Sequence, residues 1–104
     1  MLGITTALAA KEDKTQVVNV SDTDPVITAA ANTQYICGEV STLSFTPSAT
    51  GTCDIIFESG STATVLTLPS TVKLPEWFDA SDLEADTVYE ISILNGVYGA
   101  VMAW

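Results

Sequence analysis

The chain of 104 residues contains no histidine and no arginine, and its only cations are three lysines. Without histidine there is no Ser-His or Cys-His nucleophile pair, and without arginine there is no bidentate clamp for phosphate or carboxylate. Carboxylate pairs can hydrolyse glycosides, but they need a cleft that a domain of this size rarely forms. We therefore expect a protein that is not an enzyme and that binds no cofactor.

Positive charge is scarce as well. Thirteen Asp and Glu residues outnumber the lysines and give a net charge of −10. Such a surface repels nucleic-acid phosphates and anionic lipid headgroups, and no apolar run is long enough to cross a bilayer. We expect neither nucleic acid nor membrane as a partner, and the chain length favours one domain.

The first ten residues carry no charge, and the first cation, Lys11, follows them. A secretory signal has the opposite order, so we expect synthesis in the cytoplasm. Residues 1–25 are predicted to form an N-terminal arm or a short helix, with Ile4 and Leu8 on one apolar stripe. A frayed polar tail is the alternative for this segment.

From Val26 onward the sequence has the composition of β-strands separated by turn residues. Alternating apolar and polar residues predict strands over 33–39, 42–46, 53–58, 63–68, 87–94 and 97–104. Asn95-Gly96 predicts a type I′ turn between the last two strands. No helical period follows the arm, and no solenoid-length repeat is visible. We therefore predict an all-β fold, a compact antiparallel β-sandwich of jelly-roll type, over residues 26–104.

Five of the thirteen acids fall within residues 76–86. Asp79, Asp82, Glu84 and Asp86 could supply oxygen ligands to Ca²⁺, but their spacing differs from that of an EF-hand loop. A solvated acidic loop is the better interpretation, and we predict no metal site.

Cys37 and Cys53 are the only cysteines. Cytoplasmic proteins keep thiols reduced, and free cysteine behaves as a small core residue. We predict two free buried thiols, with a disulfide as the alternative.

The chain is 47% hydrophobic and only 15% charged, which is rich in apolar residues for a small β-domain. In the last predicted strand both alternating sets are apolar, so one face needs cover from a partner or a loop. We predict self-association through an apolar interface poor in acids. The candidate interface residues are Ile4, Leu8, Val97, Tyr98, Val101, Met102 and Trp104.

Three pieces of sequence, in this order, resemble a known family: Asn32-Thr33-x-Tyr35, then Phe57-x-Ser59-Gly60-x-Thr62-x-Thr64-x-Leu66-x-Leu68-Pro69, then Tyr89-Glu90-Ile91-x-Ile93-x-x-Gly96 with Trp104. Over residues 30–104 the chain is similar to the C-terminal β-domain of small virion structural and fibre-like proteins from tailed bacteriophages and prophages of gut bacteria. The chain lacks long shaft repeats, which favours a head-fibre, capsid-decoration or tail accessory protein over a receptor-binding tail fibre.

The resemblance implies a non-enzymatic protein that is made in the host cytoplasm and located in the virion, where it associates with itself and with other virion proteins. Resemblance to viral fibres also implies a homotrimer. The alternative is a carbohydrate-binding or host-adhesion module with a host surface glycan as its ligand. In that case Trp77, Phe78 and Tyr98 are the candidate aromatic residues that face the sugar.

Overall fold

The computed structural model describes residues 16–104; residues 1–15 of the predicted arm or short helix, with the candidate interface residues Ile4 and Leu8, lie outside this range. Within them the chain forms strands and turns and no helix. The strands are β1 (Gln16–Val20), β2 (Val26–Thr28), β3 (Thr33–Glu39), β4 (Thr42–Thr46), β5 (Thr52–Ser59), β6 (Val65–Thr67), β7 (Thr87–Leu94) and β8 (Tyr98–Ala103).

The first six strands alternate between two sheets. β1, β3 and β5 lie side by side and parallel in one sheet, and β2, β4 and β6 do the same in the other. Neighbouring parallel strands need a long crossover, and here the strand in the opposite sheet supplies it. The chain therefore winds through three turns of a flattened coil.

The last two strands extend the first sheet by antiparallel pairing, which gives the order β1-β3-β5-β7-β8. The turn between them has positive φ at Asn95 (52°) and Gly96 (70°), and the Val97 N–H donates to the Leu94 carbonyl at 3.0 Å. These features identify the predicted type I′ turn. β8 is thereby placed at one edge of the five-stranded sheet.

A single core fills the space between the sheets. Strand alternation sends every second side chain inward, and the aromatic ring of Tyr35 from the larger sheet packs edge-on against Phe45 from the smaller sheet, with centroids 5.9 Å apart. The largest fully buried side chains are Phe45, Phe57, Leu43, Ile55, Ile91, Ile93, Val40 and Cys53. Burial of these apolar side chains is the main contribution to the stability of the fold.

The long connection between β6 and β7 covers the core beneath the last hairpin. Phe78 and Leu83 of this connection are buried, and the Phe78 ring packs edge-on against Tyr89. The Tyr89 hydroxyl accepts a hydrogen bond from the Glu84 N–H at 2.8 Å. The connection is therefore fixed by apolar burial and by a hydrogen bond to a buried tyrosine.

The prediction of an all-β chain with two sheets is confirmed for residues 16–104. The predicted antiparallel, jelly-roll arrangement is wrong, because the strands of the smaller sheet and the first three of the larger sheet are parallel. Alternation of residue types shows which face of a strand is buried but not which strand lies beside it. In addition, β1 lies within residues 1–25, for which the sequence predicts an arm or a short helix, and it belongs to the larger sheet.

Within residues 16–104 the structure has no helix with the length and apolar character that a membrane span requires.

Replacing Gly96 with valine should lower the free energy of unfolding by about 1–3 kcal/mol, because a β-branched residue is forced to positive φ. The new Cβ would also lie 3.1 Å from the Ser48 carbonyl oxygen. Gly38→Val is the matched control, since Gly38 has open space at its Cβ position and no positive φ. Thermal denaturation should show a lower melting temperature for Gly96→Val only; equal curves would contradict the turn assignment.

Candidate interaction surface

The outer face of the five-stranded sheet is covered by no other element among residues 16–104. Its side chains alternate with those that enter the core, and cross-strand pairs place Ile56 beside Glu90 and Glu90 beside Met102. On the central strands this face is partly polar: the Ser92 hydroxyl donates a hydrogen bond to the Asp54 carboxylate. Toward β8 the face becomes apolar.

The most exposed apolar side chains of β7 and β8 lie together on this face. Tyr98, Met102 and Trp104 are 60%, 55% and 65% exposed, and Leu94, opposite Tyr98, is also exposed. We call these four residues the edge strip. No Asp, Glu or Lys occurs in residues 94–104, although the chain as a whole is strongly acidic. An uncharged apolar strip on such a surface is typical of an interaction site.

The edge of β8 is only half covered. The Lys73 N–H donates to the Val97 carbonyl at 2.6 Å, and the Gly99 N–H donates to the Lys73 carbonyl at 2.8 Å. On the other side of the strand the Trp104 N–H donates to the Val88 carbonyl of β7. Because N–H groups alternate in direction along a strand, the backbone groups of Val101 and Ala103 point away from β7. These groups have no partner among residues 16–104.

A shallow groove of about 210 Å³ lies beside this free part of the edge. Its lining residues are Glu90, Ser92, Ala100, Val101 and Met102. Ala100 leaves the groove open because its side chain is a single methyl group on the same outer face as the edge strip. The surface therefore offers a depression, a free strand edge and large exposed side chains within one short segment.

The structure divides the predicted interface residues into two groups. Tyr98, Met102 and Trp104 are exposed, whereas Val101 is half-buried and packs against the core. Val97 is also half-buried, in the turn after Asn95-Gly96. The sequence did not identify Leu94 or Ala100. Pro69 and Pro75 predict that residues 70–74 lie at a sheet edge or in a crossing connection, and the structure places Lys73 at the edge of β8.

A second candidate surface lies on the connection between β6 and β7. Trp77 is 63% exposed and borders a depression of about 270 Å³ whose lining includes the acids Asp79, Asp82 and Glu84. Phe78 also lines this depression and packs edge-on against Trp77, with ring centroids 5.7 Å apart, but it is only 8% exposed and belongs to the core, so it presents little of its ring. Tyr98 does not line this depression. Of the three aromatic residues predicted to face a sugar, Trp77 and Phe78 are therefore brought together and Tyr98 is not.

The acidic loop is organised by hydrogen bonds of its own. The Asp79 carboxylate accepts hydrogen bonds from the Ser81 hydroxyl at 2.6 Å and from the Ser81 N–H at 2.9 Å. These bonds stabilise the ionised carboxylate and lower the pKa of Asp79. Among residues 16–104 no group of three or more Cys, Asp or Glu side chains is arranged to hold a metal ion.

Both cysteines are buried and free. Cys37 lies on β3 and Cys53 on the next strand of the same sheet, β5. Burial raises the pKa of both thiols, so the reactive thiolate is disfavoured in the folded protein. Nothing in this arrangement suggests a reactive or catalytic cysteine.

Comparisons with known proteins found no matching family model, no matching curated protein and no matching solved structure.

Alkylation should distinguish the native from the unfolded protein. Iodoacetamide should react slowly with the folded chain, because both thiols are buried and protonated, and should add two groups per chain after denaturation without reductant. Intact-mass spectrometry measures the number of adducts. A denatured, unreduced chain that accepts none would show that Cys37 and Cys53 are bridged.

Proposed function

We propose that this protein is a non-enzymatic structural component of a bacteriophage virion that works by self-association and by docking onto other virion proteins. The observation that carries the self-association is the edge strip beside the free edge of β8. The assignment to a virion depends on the sequence resemblance over residues 30–104. A head-fibre, capsid-decoration or tail accessory position is the form of this proposal that the resemblance favours.

The physical argument for self-association begins with charge. Two copies each carrying −10 repel one another, so they can meet closely only where acids are absent. Residues 94–104 provide such a place and also the largest exposed side chains of the hairpin. Burial of Tyr98, Met102 and Trp104 in a contact would remove apolar area from water, which is the main favourable term in association.

Light scattering coupled to size exclusion should give a mass above that of one chain at micromolar concentration. Association should strengthen with salt, because screening weakens the repulsion between like-charged copies. The resemblance to viral fibres implies three copies. A dimer would remove the fibre analogy and keep the self-association, whereas a single chain under all conditions would contradict the proposal. Capsid or portal genes beside the coding gene would support the virion assignment.

A carbohydrate-binding module is the second candidate, and the exposed Trp77 next to carboxylates favours it. Sugars stack on exposed aromatic rings and donate hydroxyl hydrogen bonds to acids. If this function holds, Trp77→Ala should abolish binding to an array of bacterial surface glycans, whereas Trp104→Ala should not. Failure of the unmodified protein to bind any glycan on the array would remove this candidate.

A further inference from the structure

We propose that β8 pairs with β8 of a second copy, antiparallel and across a two-fold axis at Met102, so that the two five-stranded sheets become one continuous sheet. This inference rests on the proposed self-association and deepens it, because it names the partner surface and the register. It proposes two copies in place of the three that the resemblance to viral fibres implies. It rests on the free backbone groups of Val101 and Ala103, on the groove at Ala100 and on the position of Trp104.

The register follows from the backbone groups that are free. With the axis at Met102, Val101 of each copy lies opposite Ala103 of the other, and all their free N–H and C=O groups form hydrogen bonds. An axis at Val101 would instead place Ala103 opposite Gly99, whose N–H already donates to Lys73. The contact of Lys73 with β8 therefore excludes the Val101 axis. An axis at Ala103 would pair the groups of Ala103 alone and leave those of Val101 free among residues 16–104, so the Met102 axis is the one that pairs both residues.

The same register brings complementary side chains together. Residues directly opposite one another project to the same face of a sheet, so Trp104 of one copy lies over Ala100 of the other. Ala100 lines the groove of about 210 Å³ on that face. A large ring thus meets a cavity beside a small residue, and the groove's Glu90 and Ser92 side chains offer oxygen acceptors for the indole N–H. The two Met102 side chains meet at the axis.

The paired strand segments themselves carry no like charges, although the two copies as a whole repel one another. Residues 94–104 contain no ionisable side chain other than Tyr98. On the outer face, the acid beside Met102 is Glu90, one strand away in each copy. Three strand spacings of about 4.8 Å separate the two Glu90 backbones across the axis. This separation exceeds the screening length of about 8 Å at physiological ionic strength.

A cysteine at the axis tests the register directly. In the full chain, Met102→Cys should form a disulfide-linked dimer with copper–phenanthroline in air, because side chains of a directly opposed pair lie about 4.5–5.5 Å apart at Cβ. Ala100→Cys is the matched control, since it lies on the same face of the same strand but away from the axis, and it should not cross-link. Because Cys37 and Cys53 are buried, the unmodified protein should not cross-link and serves as the blank.

A proline at the edge tests the backbone hydrogen bonds. Ala103→Pro removes an N–H that points away from β7, so the internal ladder is retained while pairing between copies is lost. Trp104→Ala removes the side chain that fills the groove and should weaken the dimer about tenfold or more. Light scattering should report one chain for Ala103→Pro at concentrations where the unmodified protein is a dimer. Circular dichroism shows whether each variant is folded.

The outcomes separate this inference from the proposed function. Cross-linking at Met102 but not at Ala100, together with loss of the dimer in Ala103→Pro, is the expected result. An assembly that forms without cross-linking at Met102, or that a folded Ala103→Pro variant leaves intact, would overturn the β8 pairing and retain self-association elsewhere. A single chain at all concentrations would overturn both.

Discussion

The alternation of the chain between two sheets is the constraint on which the rest of the structure depends. Each parallel neighbour in one sheet requires a passage through the other, so neither sheet can form without its partner. Tyr35 and Phe45 meet across the resulting space, and the fully buried residues of both sheets form one core with them. The coil is therefore stabilised by contacts that join residues distant in sequence, which makes its folding cooperative but dependent on non-local pairing.

The coil ends where the antiparallel hairpin begins, and this change creates the β8 edge. β7 runs back along β5, and its inward side chains Tyr89, Ile91 and Ile93 continue the core. No strand of the smaller sheet lies opposite β7 and β8, so the connection between β6 and β7 supplies the cover through Phe78 and Leu83. That connection also carries Lys73 to the edge of β8. One segment thus closes the core and partly covers the edge.

The sequence predicted local structure well and long-range arrangement poorly. The bounds of β3, β4 and β7 agree with the predicted strands, because each has a clear alternation ended by turn residues. β1 was missed since all but its last side chain are exposed, so no alternation is present to read. The parallel coil was missed because successive turns differ in length: Gln16 lies beside Thr33, and Thr33 lies beside Cys53. Because the number of residues per turn varies, the sequence shows no repeat of fixed length.

For the candidate surfaces, too, the sequence predicted local features but not long-range arrangement. Exposure of Tyr98, Met102 and Trp104 followed from the two-sided apolar pattern, and the structure places these residues on one face. The pattern could not show that β8 is an edge strand, because that depends on which strands lie beside it. Nor could it separate Trp77 from Phe78, although one is exposed and the other buried. Their difference depends on Tyr89, which lies on a distant strand.

Lys73 has a consequence for the kind of assembly that this edge allows. A long uncharged edge strand can add further copies without limit, which is the usual route to aggregation. Here Lys73 occupies the groups of Val97 and Gly99, so the length of edge that can pair is short. Once Val101 and Ala103 are paired with a second copy, the edge of β8 has few free backbone N–H and C=O groups with which a further copy could pair. A contact across a two-fold axis uses the same surface on both copies and closes on itself. The half-covered edge therefore favours a finite pair over an open filament, and the covering segment sets both the register and the limit of association.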